Sequence, residues 1–207
     1  MVDLSYVLVI VFLVVDFAIS IWNAYSAGFS LTVLKNSPGE NAPRLAKYAS
    51  YAALGLAFSG MSYVMTVVFG VLAYYLGYIG LGSLNVIFAF NFLFFGAMII
   101  GFGLVVTAQS IVVAYRRRSF GSIAVSIWNV FAEVLDITVY AEGFRSAYKT
   151  LSGGNSRNNG NLAVIVLMAV AVALFITWAA YRHGVKRANQ LTHRAPSYQP
   201  FGRPIGA

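Results

Sequence analysis

Polar side chains interrupt this chain in two ways. Short clusters of them end long apolar runs, and single residues recur at helical spacing inside two of those runs. The apolar runs cover 4–34, 48–78, 84–115, 120–151 and 162–181. Each exceeds the roughly 18 residues that mark a membrane-spanning helix. Between them lie Lys35-Asn36-Ser37-Pro38-Gly39, the tight turn Gly80-Leu81-Gly82-Ser83, the basic cluster Arg116-Arg117-Arg118 and the Gly/Asn-rich stretch 153–160. Pro removes a backbone donor and Gly frees the backbone, so these are helix stops. The pattern predicts an all-α, polytopic membrane bundle of five transmembrane helices in one domain, 1–181. Residues 182–207 hold three prolines and little apolar content, and they read as a basic, mobile tail.

The polar residues inside the first and fourth runs form stripes. Asp16, Ser20, Asn23 and Ser30 follow one line in the first, with Ala27 between the last two. Ser122, Ser126, Asn129, Glu133 and Asp136 follow the same steps of four and three in the fourth. On an α-helix such steps draw one narrow face, whereas a strand would scatter them over both sides. The two stretches also align without a gap. AISIWNAYSAGFSLTV at 18–33 and AVSIWNVFAEVLDITV at 124–139 share Ala, Ser, Ile, Trp, Asn, Thr and Val, and Tyr25 is matched by Phe131. The preferred reading is an internal duplication. Three spans apart, the copies cross the bilayer in opposite directions, which predicts an inverted-topology repeat of helices 1-2 against helices 4-5, with span three as a linker.

Other runs carry packing signals. Ala49, Ala53, Ala57 and Gly60 repeat at helical spacing and read as a close helix–helix contact. Tyr74, Tyr75 and Tyr78 read as an aromatic belt. Gln109 is expected to bond to a neighbouring helix rather than line a path. Span four also carries Glu142, Arg145 and Lys149. A rival reading lays it along the membrane surface, but its stripe and its likeness to span one favour insertion.

Composition agrees with this picture. Of 207 residues, 59% are hydrophobic and 10% charged, against about 25% charged in soluble domains. The absence of cysteine excludes disulfides, thiolate metal sites and a cysteine nucleophile. The N-terminal stretch lacks the basic region of a cleaved signal and reads as the start of the first span. Eleven of the 14 Lys and Arg fall on one side of a five-span topology. That side is expected to be cytoplasmic, with the N-terminus outside, in the cell membrane. Arg145, Lys149 and Arg157 fall on the other.

Asn23 lies about 18 Å above Lys35, and Asn129 about 16 Å above Arg118, at 1.5 Å per residue. Both are near the middle of a hydrocarbon layer about 30 Å thick. An ionisable group there costs about 2.5–3.5 kcal/mol on insertion scales, so the stripes must turn inward. Spans one and four are expected to face each other or a common cavity. The expected path is lined by Asp16, Ser20, Asn23, Ser126, Asn129, Glu133 and Asp136. Trp22 and Trp128 read first as packing residues beside it, and their bulk at the Asn level makes them the candidate gate.

Little else carries chemistry. Asp16, Glu133 and Asp136 could offer oxygens to a hard cation, or be protonated and bonded to Ser and Asn; no metal site is assigned. His183 and His193, the only histidines, lie beyond the last span, which excludes bis-His haem ligation. No catalytic residue and no cofactor is predicted. Arg182, Lys186, Arg187, Arg194 and Arg203 in the tail read as cytoplasmic anchoring rather than as a nucleic-acid contact. Two functions compete. One is a transport or translocation protein with a cation- or proton-linked path between helices 1 and 4, working alone or as a homo-oligomer. The other is a non-catalytic membrane subunit, bound to partner subunits of a larger assembly such as a DNA-import or secretion machine.

Overall fold

A computed structural model of the chain describes residues 4–36, 44–153 and 159–194. These form five helices: α1 (Leu4–Asn36), α2 (Arg44–Tyr75), α3 (Leu81–Arg117), α4 (Phe120–Gly153) and α5 (Asn159–Arg194). All five are long and apolar enough to cross a membrane. The chain is an all-α, multi-pass membrane protein whose apolar outer faces suit contact with lipid. Tyr75 and Tyr78, at the end expected to carry an aromatic belt, are exposed.

Two boundaries differ from the sequence expectation. The α2–α3 turn comes earlier than Gly80–Ser83. Gly77 takes φ +76°, the left-handed conformation that closes a helix C-terminus, and the Tyr78 N–H donates to the Ala73 carbonyl at 2.9 Å. Gly80 is then the extended residue before α3, and Gly82 lies inside it. At the other end, α5 runs past Tyr181 to Arg194, so the first part of the expected tail is helix. Arg, His and Lys do not break helices. Gly184 is held by packing on α1, and Ala188 one turn on is fully buried. Residues 195–207, with Arg203, and the 154–158 stretch, with Arg157, lie outside the described residues.

α1, α2 and α5 pack on one another, and α3 and α4 extend from α2 as an open row. α2 is central and touches α1, α3 and α5; α3 lies between α2 and α4; α1 packs on α5. Small residues set the close contacts. Gly28 faces the backbone carbonyl of Tyr181, and Gly184 faces that of Tyr25, so α1 and α5 cross with one glycine from each helix against the other's backbone. The Asn36 amide donates to Asn189 at 3.1 Å near the basic ends of the same pair. Gly55 faces the Phe102 ring, and Gly60 faces Ser20.

α4 runs antiparallel along α3. Gly143 meets Phe92, Gly96 meets Tyr140, and Gly103 meets Glu133. Tyr140 stacks on Phe92 at 5.3 Å and donates to the Leu93 carbonyl at 3.0 Å. α4 thus packs along the length of α3, and it is itself long and apolar enough to cross a membrane. The α3–α4 turn is only Arg118-Ser119. Arg118 takes φ 48° and its N–H donates to the Ala114 carbonyl at 2.9 Å; Ser119 Oγ accepts from the Ser122 N–H at 3.3 Å.

Among the described residues, α4 packs on α3 alone. It does not approach α5, whereas α1 packs on both α2 and α5. The pairs α1–α2 and α4–α5 therefore do not sit in equivalent surroundings.

Candidate functional site

No Cα of α1 comes within 8 Å of one in α4. The two striped helices instead flank an open groove of about 410 Å³. α1 gives it Ser26 and Ser30, α2 gives Ser50, α3 gives Gln109 and Ser110, and α4 gives Ser122 and Asn129. Ala27, Ala49 and Ala53 keep it wide. Its lining begins at Arg117 and Ser119 and ends at Asn129, about 15 Å along α4 at 1.5 Å per residue. The groove is therefore a cleft about 15 Å long at the end of the bundle that carries Lys35, Arg44, Lys47 and Arg116–118.

Glu133 sits one helical turn beyond Asn129, on the same face of α4. It is only 6% exposed, its carboxylate lies against Gly103, and its Oε1 has no hydrogen-bond partner. Thr107, one turn along α3 from Gly103, donates to the Asn129 carbonyl at 3.4 Å. Glycine at 103 leaves the space that the carboxylate occupies, because a Cβ there would collide with it. Asp136 is exposed further along α4, and Asp16 on α1 lies within electrostatic range of both Asp136 and Tyr63.

The remaining stripe residues are placed variously. Ser126 is buried on α4. Ser20 is buried against Gly60 of α2, outside the groove. Asn23 is half-buried and also outside its lining. Trp22 is 67% exposed and Trp128 60% exposed, so both rings lie on the outer surface of the chain. Each leans on the aromatic ring three residues on, Trp22 on Tyr25 at 6.0 Å and Trp128 on Phe131 at 6.2 Å.

Sequence reasoning missed several groove residues. Gln109 lines the groove, against the expectation of a bond to a neighbouring helix, and its Oε1 is unpartnered. The signal was present in part: Ser110 and Arg117 lie seven residues apart on one face of α3, with Gln109 beside Ser110. A second polar feature, a buried seam, also escaped notice. Ser59, Ser62 and Thr66 of α2 and Asn91 of α3 are all buried, and Asn91 donates to the Tyr63 carbonyl at 3.1 Å.

Comparison with protein-family models, curated proteins and solved structures gives no match. Function rests on the groove and its chemistry. Among the described residues no three acidic or histidine side chains gather as a metal-ligand group. The site offers hydroxyls, amides and one buried carboxylate.

Proposed function

We propose that this chain is a membrane transport protein that moves a cation or proton along a polar path between α1 and α4. The observation that carries the reading is the buried Glu133 carboxylate, with one oxygen unpartnered, one helical turn beyond a groove that carries Ser, Asn and Gln side chains among alanines and valines. Carboxylates in membrane spans are costly to insert and mark ion or proton pathways. A cleft open to one side and stopping near mid-membrane suits alternating exposure of such a group. In this reading the groove opens to the cytoplasm, the N-terminus is outside, and the positive-inside rule supports that orientation. The chemistry is non-enzymatic. The duplication applies to α1 and α4 as two copies of one striped helix, and their matching Trp-aromatic pairs support common descent.

The test is flux through the purified chain in liposomes. Asp16→Asn and Glu133→Gln are expected to abolish flux while the protein elutes as the folded wild type does. Wild-type flux from both variants sinks the reading.

A second reading, a non-catalytic subunit of a larger membrane assembly, is favoured by one observation. α4 is held by α3 alone, which leaves most of its length free for a partner helix. Co-purification at fixed stoichiometry with other membrane subunits, and instability without them, would favour it over the transporter.

A further inference from the structure

We infer that the transported species is the proton and that the Glu133 carboxyl binds it, an assignment that rests on the transport reading above. α3 is the only helix packed on α4 among the described residues. What it presents near Glu133 is Gly103 and Thr107, and the Thr107 hydroxyl is turned to the Asn129 carbonyl. The ionisable side chains of α3, Tyr115, Arg116 and Arg117, lie at its far end. On α4 the nearest ionisable group is Asp136, an anion when charged, and Asp16 stands across the gap on α1. No cation faces Glu133 from any of these elements.

A buried carboxylate with one oxygen unpartnered and no counter-ion is costly in charged form. Binding one ion relieves that cost, and the binding site selects which ion. A hard metal cation takes about six oxygen ligands or more. Here α3 offers no side chain at Gly103 and a Thr107 hydroxyl already turned to the Asn129 carbonyl, far short of such a shell. A proton needs a single oxygen and no coordination shell. The groove supplies its route: Ser122 and Asn129 lie on α4 below Glu133, with Ser110 and Gln109 across from them on α3. Water held by those hydroxyls and amides reaches to within one helical turn of the carboxyl. That leaves about 5 Å to cross, so exchange needs one further water between Asn129 and Glu133, to which the carboxyl gives its proton and from which it takes one back, with no other bond made or broken. Gly103 is the positioning residue, because its missing side chain lets the carboxyl lie flat on α3.

Dicyclohexylcarbodiimide tests this directly, since it modifies protonated carboxyls in apolar surroundings. The full chain in phospholipid vesicles is treated across a pH series and the adduct is located by peptide mass spectrometry. Label is expected at Glu133, declining as pH rises and unchanged by added Na⁺ or K⁺. It disappears from that peptide in Glu133→Gln. It falls severalfold in Gly103→Ala but not in Gly101→Ala, whose added methyl meets no atom within 4 Å. Absence of label at Glu133 in the folded wild type overturns the assignment, as does protection by Na⁺ or K⁺. The two levels separate cleanly. Na⁺ protection together with Na⁺ flux keeps a transporter and removes the proton. Label at Glu133 without any flux keeps the proton-binding carboxyl and removes the transporter.

Discussion

The crossing of α1 over α5 gives a quantitative prediction. An alanine methyl at position 28 would sit 3.0 Å from the Tyr181 carbonyl carbon, and one at 184 would sit 2.9 Å from the Phe29 nitrogen. The carbonyl oxygens of Tyr181 and Tyr25 stand closer still, and ordinary contacts lie at about 3.5–4.0 Å, so the helices must part by about 1 Å or more. A gap of that size forfeits about half of each atom-pair attraction. About twenty atom pairs across the crossing at ~0.15 kcal/mol each then lose about 1.5 kcal/mol, within the range of overpacking costs. Fully buried Ala24 and Ala188, one turn from the glycines, share that loss. Gly→Ala also gains up to about 1 kcal/mol in helix propensity, so each variant must be compared with Gly101→Ala, which has the gain without the clash. Relative to that control, Gly28→Ala and Gly184→Ala are each expected to destabilise by about 1–2 kcal/mol. The double variant should cost less than the sum, because the first methyl has already opened the gap that the second needs. The measurement is unfolding in mixed micelles of increasing sodium dodecyl sulfate, followed by tryptophan fluorescence. Single variants as stable as Gly101→Ala, or a strictly additive double, would refute the reasoning.

Three further outcomes are expected. At the α3–α4 turn, Ser119→Ala loses the cap on α4 and costs about 1 kcal/mol, whereas Arg118→Gly releases a left-handed non-glycine residue and gains a similar amount; opposite shifts in the same unfolding assay check both. Asn91→Ala removes a bond to the Tyr63 carbonyl and leaves a cavity beside Phe95, so about 1–3 kcal/mol of stability is lost, read as an earlier unfolding midpoint. Because the chain has no cysteine, single-cysteine labelling is clean: Ser50→Cys and Ser122→Cys should react with a charged maleimide, and Ser62→Cys in the buried seam should not. Equal reactivity at all three would remove the groove as a watered space.

Five helices were legible because the hydropathy of a membrane span is a local property. Chain breaks were less so, for reasons that differ. Gly77, Gly80 and Gly82 are equivalent in sequence, and only the fold decides which one takes the left-handed conformation. Arg182-His183-Gly184 resembles a helix end, but Gly184 serves a contact with Tyr25 that lies far away in sequence. The stripes on α1 and α4 were visible as periodicity, and Asn129 does line the groove. What periodicity does not carry is partnership. It could not say that Ser20 would face Gly60 while Ser26 and Ser30 faced the groove, since only about 80–120° of rotation around α1 separates them. The Ser59, Ser62 and Thr66 seam was hidden for another reason. A helix can satisfy a hydroxyl on its own backbone, as Ser59 does on the Gly55 carbonyl, so such residues look unremarkable until their burial, and the Asn91 bond to the Tyr63 carbonyl among them, are seen.

The neighbourhood of α1 also bears on how the bundle is made. α1 leaves the ribosome well before α5, yet the two end up crossed with glycine against backbone. Until α5 is synthesised, one flank of α1 and of α2 has only lipid to meet. Joining the two ends of so long a stretch is the slow, entropically expensive kind of step. α4, attached to α3 through a two-residue bend, lies outside that closing event and can be in its final position while the remaining helices still wait.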